Sequence, residues 1–169
     1  MNPSTFSARR DALRRAVPGG AILIMGNEEA PRNYVDNVYP FRQDSHFLYY
    51  AGVSQAGLAL IIEPNGSAIL FGTPDHRDDV IWHGPHPTLE DHAAAAGAAA
   101  FDDIGNLAER IVQFKSAGME IHYLPPYRAQ RRFALARLLG IDPREVASQT
   151  SVELVRAVAA QRSIKEEAE

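Results

Sequence analysis

His83-Gly84-Pro85-His86, with Asp91 and His92 shortly after, is the obvious metal candidate in the sequence. Two histidines three apart could share an ion, and a carboxylate could complete the site. Pro85 and Pro87 force an irregular backbone, however, so the spacing does not put both imidazoles on one helical face. A polar surface loop with solvated histidines is the stronger reading. Asp75-His76-Arg77-Asp78-Asp79 offers groups for acid–base chemistry, but its composition is equally that of a turn and an exposed helix start, where acids favour the N-terminus. There is no Gly-x-Ser-x-Gly elbow, phosphate loop or dinucleotide-binding glycine fingerprint. The chain has no cysteine, which removes a thiol nucleophile, a zinc–thiolate site and any disulfide framework.

The remaining chemical feature is a long aromatic loop, Asn33-Tyr34-Val35-Asp36-Asn37-Val38 followed by Tyr39-Pro40-Phe41-Arg42-Gln43-Asp44-Ser45-His46-Phe47-Leu48-Tyr49-Tyr50-Ala51-Gly52. Tyr39, Phe41, Phe47 and Tyr49 can bury large area, while Arg42 and Gln43 can hydrogen-bond loop carbonyls. On the residues alone this is an aromatic mini-core that anchors a loop.

The elements around it follow from periodicity and punctuation. Phe6 to Val17 is amphipathic, with Phe6, Leu13 and Val17 on one face and Pro18-Gly19-Gly20 as the stop. Ala21 to Met25 is a short apolar run that suits a buried strand. Residues 26–43 form a long loop, and Asp44 or Ser45 caps a helix through Tyr50. Leu58–Ile62 and Ser67–Phe71 are strands joined by Glu63-Pro64-Asn65-Gly66, a hairpin signal. Thr88 caps a helix ending near Gly97, with Asp91 placed for a capping box. A strand over Ala99–Phe101, a helix over Ile104–Phe114, a strand over Ile121–Leu124 and a helix over Tyr127–Leu139 follow, the last closed by Gly140. Ser151 to Glu169 reads as a helix that meets no Gly, Asn or Pro stop. The expected fold class is α/β, a mixed β-sheet with helices on both faces.

At 169 residues, with 46% hydrophobic and 22% charged residues, the composition is that of one globular domain of ordinary size. No apolar run approaches the roughly 20 residues of a membrane span, and Met1 to Ala16 lacks the apolar core of a signal peptide. A cytoplasmic protein is expected. The net charge of −4 hides segregation: seven acids against Arg77 between Asp75 and Asp103, and seven arginines against three acids between Tyr127 and Arg162. The arginines lack an interleaved set of stacking aromatics, so nucleic acid is not an expected partner. Two oppositely charged faces that help domain docking are.

Tyr39 to Gly52 resembles the hallmark of the N-terminal domain of Xaa-Pro aminopeptidases and prolidases, Tyr-Pro-Phe-Arg-Gln-(Asp/Asn/Glu)-Ser-x-Phe-x-Tyr-(Leu/Phe/Tyr)-x-Gly. It matches at Tyr39, Pro40, Phe41, Arg42, Gln43, Ser45, Phe47, Tyr49 and Gly52. Ile81-Trp82-x-Gly84 resembles a second element of the family, and Arg162-Ser163-Ile164-Lys165-Glu166 resembles the junction with its catalytic domain. The resemblance implies a creatinase/prolidase-type N-terminal domain over residues 1–160, with residues 161–169 starting the linker to a C-terminal "pita-bread" domain. In the family that second domain holds two divalent metals, commonly manganese, through two Asp, one His and two Glu. A hydroxide held there attacks the bond before proline. The same resemblance implies no catalytic residue and no metal ligand in these 169 residues, a role in homo-oligomerisation and active-site access, and proline-containing peptides as substrate. Asp36 matches an Asp at an active-site mouth, where it could attract a substrate ammonium, and its alternative role is capping the loop. Trp82 matches a Trp that can wall the substrate, and otherwise anchors a core or interface. The sequence departs from the family at Val80, where an acid is common, and at Pro85-His86, near a common Arg. Two other functions stay open: a stand-alone peptide- or protein-binding module, and the N-terminal domain of a prolidase or of a relative such as creatinase.

Overall fold

The computed structural model describes residues 1–74 and 84–164. Helix α1 (Pro3–Ala16) starts earlier than the apolar periodicity suggests. Asn2 caps it through the Ser4 amide, and Pro3 occupies the first turn, where a missing N–H costs nothing. Strand β1 (Ala21–Met25) leads into the long loop and then helix α2 (Ser45–Ala51), which Asp44 caps through the amides of His46 and Phe47. β2 (Ala59–Ile62) and β3 (Ala68–Gly72) form the expected hairpin. α3 (Leu89–Ala96) carries the predicted capping box: Asp91 accepts from the Thr88 amide, and Thr88 Oγ1 accepts from the Asp91 amide.

β4 (Ala100–Asp103) is followed by a 3-10 turn over Ile104–Asn106 before α4 (Leu107–Ser116). The helix begins later than the spacing of Ile104 predicts because the Asp103 carboxylate takes the Gly105 amide at 2.7 Å and tightens that turn. β5 spans Ile121–Tyr123 and α5 Ala129–Leu139. Tyr127 lies outside α5, since the extended chain after Pro125-Pro126 continues through Arg128. The last helix, α6 (Val152–Arg162), is capped by Ser151 through the Leu154 amide; the predicted continuation over residues 165–169 lies outside the described residues.

The sheet order is β4-β3-β2-β1-β5, antiparallel at β1–β2 and β2–β3 and parallel at its two outer pairs. This is the mixed sheet expected. Alternation along the strands sends Ile22, Ile24, Leu60, Ile62 and Leu70 to one face, under α1, α2, α3 and α6. Ala21, Leu23, Ala59, Ile61 and Phe71 face the other side, under α4 and α5. Strands buried on both faces account for the unbroken apolar runs in the sequence.

Two buried arginines join the helices of the first layer. Arg10, 3% exposed, donates to the carbonyls of Tyr50, Ala96 and Gly97, which lie at the C-terminal ends of α2 and α3. Arg9 donates to the Tyr49 carbonyl and lies 3.9 Å from the centre of the Tyr49 ring. His122, unremarked in the sequence, is buried on β5 between the Gly19 carbonyl and the Ser151 hydroxyl, and so ties the start of β1 to the cap of α6.

Candidate functional site

The loop between β1 and α2 folds back on itself as a small hairpin. Pro31 and Val38 form an isolated bridge, Arg32 N–H donates to the Asn37 carbonyl at 2.8 Å, and Tyr39 N–H donates to the Ala30 carbonyl at 2.9 Å. Its tip is Tyr34-Val35-Asp36, with Tyr34 60% and Val35 81% exposed. Asp36 is exposed at this tip. The internal polar bonds of the hairpin run instead through Asn37, whose amide donates to Tyr34 and whose side chain donates to Asn33.

The motif that follows divides into buried and exposed parts. Phe47, Tyr49 and Tyr50 are buried on α2. Tyr39, expected in the aromatic mini-core, is instead 55% exposed, with the Arg32 guanidinium 4.9 Å from its ring centre. The hairpin carries Tyr39 away from the sheet, so cation stacking replaces burial. Phe41 is half-buried. Arg42 contributes its carbonyl, which accepts from Asn27 Nδ2 at 2.8 Å, while its side chain is exposed. Gln43 meets the expectation: Nε2 donates to the Gln55 carbonyl at 2.6 Å, and Oε1 accepts from the amides of Asn27 and Asp44. Ser45 is exposed in the first turn of α2. Gly52 closes that helix at φ 70°, which only glycine adopts without strain.

Two residues that sequence reasoning passed over hold this region together. Asn27, 2% exposed, follows β1. Arg131 projects from α5 and pairs with Asp44 at 3.0 Å. Burial pushes the Asp44 carboxyl up, but the Phe47 amide and the Arg131 guanidinium outweigh it and leave the carboxyl below its usual range. Beside this pair runs a groove of about 380 Å³ lined by Leu124, Pro125, Val155, Val158 and Ala159, with His46 and Arg162 among its polar residues.

At the other end of α2, Tyr50 Oη donates to the Gln161 side chain, and Gln161 Nε2 donates to the Arg9 carbonyl. Arg162 lies 5.5 Å from the Tyr49 ring centre and also reaches the first turn of α2, where its Nη1 stands 2.6 Å from His46 Nδ1. A guanidinium can only donate, so Nδ1 presents its lone pair and the ring is neutral. Burial lowers the His46 pKa, Asp44 opposes that shift, and Arg162 and Arg131 reinforce it. With the folded value depressed, the unfolded chain takes up the proton first as pH falls. Stability should therefore decline from about pH 6.5, the unfolded value, and level off below the folded one. Urea denaturation at pH 8, 6.5 and 5 tests this: the His46→Gln variant should lose the decline over that window, and an unchanged decline would clear His46 of responsibility.

Among the described residues, His86, Asp91 and His92 do not come together as a metal-binding group. His86 is exposed, with Nδ1 2.9 Å from the Gly84 carbonyl, and Asp91 serves the capping box. His83, Trp82, Val80 and the Asp75–Asp79 stretch lie outside the described residues. No group of three or more His, Asp or Glu side chains able to hold a metal ion occurs among the described residues. No described helix is long and apolar enough to cross a membrane.

Residues 6–122 match the family model "Aminopeptidase P, N-terminal domain". The chain belongs to that family. The Xaa-Pro aminopeptidase of Escherichia coli K12 is 27% identical over 142 residues, which cover 79% of this chain and 30% of the relative. Among solved structures, proline aminopeptidase P II from Yersinia pestis superposes with a TM-score of 0.69 at 21% identity, over 83% of this chain and 33% of that one. A zinc-substituted E. coli aminopeptidase P in complex with product gives 0.58 at 24% identity, over 67% and 27% of the two chains. These likenesses establish the fold. The chain spans less than a third of the length of the curated relatives it matches, 30% for the E. coli protein and 18% for a probable Xaa-Pro aminopeptidase of Aspergillus terreus. The domain's motif helix and capped loop, Tyr39 to Gly52, fall wholly within the matched stretch.

Proposed function

We propose that this domain is the non-catalytic N-terminal part of a proline-specific metalloaminopeptidase and that it shapes access to an active site, that of a neighbouring subunit of a homo-oligomer included. The observation that carries the reading is an exposed carboxylate, Asp36, at the tip of a hydrogen-bonded hairpin that stands on buried loop ends at Asn27 and Gln43. A carboxylate so placed attracts the N-terminal ammonium of a peptide. Family membership and relatives named Xaa-Pro aminopeptidase support the substrate class. By the family resemblance alone, Trp82 is proposed as an apolar wall near the substrate.

On this reading residues 1–160 form the access domain and residues 161–169 begin the linker. A catalytic domain outside these residues would hold two divalent metals, manganese by family precedent, whose chemistry would be Lewis-acid activation of water and of the scissile carbonyl. The described residues offer no donor set for them. The contribution of this chain is to bind and orient the peptide's amino end. The compartment proposed is the cytoplasm.

In the complete enzyme, Asp36→Ala should lower kcat/KM for Xaa-Pro peptides by about tenfold, the low end of electrostatic focusing, and Trp82→Ala should also lower it, each with the fold intact by circular dichroism. The Asp36 effect should shrink as salt rises. Unchanged kinetics in both variants would remove the pair from the substrate side.

A further inference from the structure

We propose that Arg131 is the positioning residue of the loop between β1 and α2, clamping its two ends so that the Tyr34–Asp36 tip has a fixed foundation. The geometry is independent of the access reading above, and the functional meaning of the clamp rests on that reading. Arg131 Nη2 donates to the Gly26 carbonyl at 3.1 Å and to Asn27 Oδ1, both at the start of the loop. Nη1 donates to Asp44 Oδ2 at 3.0 Å, at its end. One guanidinium therefore bridges the point where the chain leaves β1 and the point where it enters α2.

The neighbouring bonds repeat this closure. Asn27 N–H donates to Gln43 Oε1 at 2.6 Å, and Asn27 Nδ2 donates to the Arg42 carbonyl at 2.8 Å. The Arg131 and Asp44 side chains are only 11% and 3% exposed, so the pair is shielded from water and salt. The Tyr127 ring centre lies 5.3 Å from the guanidinium, and its hydroxyl accepts from Asn27 Nδ2 at 3.3 Å. A planar fork spans three acceptors in this way; a lysine ammonium is a point charge that reaches fewer of them in one geometry. Fixing both ends of a loop this long removes closure entropy that the short Pro31–Val38 bridge cannot remove alone. Arg131 lies beyond residues 6–122, the stretch matched to the family model.

Hydrogen exchange followed at single amides tests the clamp in the 169-residue chain. Arg131→Met should speed exchange at Arg32, Asn37 and Tyr39, all hydrogen-bonded within the hairpin, by about tenfold or more relative to the amides of β2 and β3. Arg131→Lys should fall between Met and the parent. Hairpin exchange that is unchanged, or that rises only by the same factor as the sheet, overturns the proposal. If Arg131→Met does not fold, Asp44→Asn, which keeps an oxygen for the α2 cap, reads the same amides with the same criteria.

Kinetics of the complete enzyme separate the two ideas. Arg131→Met should lower kcat/KM for Xaa-Pro peptides, and adding it to Asp36→Ala should cost little more than Asp36→Ala alone. Faster hairpin exchange with unchanged kinetics in Asp36→Ala upholds the clamp and sinks the access reading. Impaired Asp36→Ala with unaltered exchange in Arg131→Met does the reverse.

Discussion

Arg10→Met should lower the stability of the domain by about 3 kcal/mol or more, the cost of leaving buried carbonyls without donors. Methionine keeps much of the aliphatic volume, so the loss isolates the guanidinium. That group satisfies the Tyr50 carbonyl at 2.8 Å, the Ala96 carbonyl at 2.7 Å and the Gly97 carbonyl at 2.6 Å. Helix C-terminal carbonyls have no partner within their own helix and carry partial negative charge, so a cation there serves both needs. Burial pushes the Arg10 pKa down to about 10, which leaves it charged at neutral pH. For a domain of this size the loss corresponds to roughly 6–12 °C in melting temperature. Urea denaturation measures it directly, and a loss under about 0.5 kcal/mol, the range of an ordinary surface substitution, would refute the account.

Gly52→Ala should be comparably damaging for a different reason. Gly52 caps α2 at φ 70°, where an added Cβ costs roughly 1–2 kcal/mol from backbone strain. The Cβ would also enter the space of the Phe6 ring, which is 5% exposed in the core. Displacing a packed ring adds about 1–3 kcal/mol. Shrinking the ring's neighbour is impossible at glycine, so relief must come from α1: Phe6→Leu in the Gly52→Ala background should recover part of the loss. A double variant no more stable than Gly52→Ala would show that the backbone alone sets the cost. The glycine that ends the family motif is thus explained by a helix crossing, whatever the domain does.

The parts of the fold legible in the sequence were those with local causes. The apolar runs of β1, β2 and β3, the Asn65-Gly66 turn and the caps at Asp44 and Thr88 depend on neighbours a few residues away. The helices near Ile104 and Tyr127 start later than their spacing predicts because a local side-chain bond and a proline pair override helical periodicity. The exposure of Tyr39 is not legible in the sequence, because aromatic content says nothing about which way a hairpin turns. Arg131 and Asn27, separated by 104 residues, meet only because β1 and β5 are adjacent parallel strands. No spacing rule in one sequence announces such a pair; the cluster of arginines after Tyr127 read only as a charged face.

Helix α2 is seven residues long, about 10 Å at 1.5 Å per residue. Asp44 at its start is fastened to α5, and Tyr49 and Tyr50 at its end are fastened to α1 and α6. A strut this short, held by charge and hydrogen bonds at both ends, has little compliance. The last turn of α6 touches both ends of this strut, Arg162 at His46 and Gln161 at Tyr50, so the two helices cannot slide along one another without breaking these contacts.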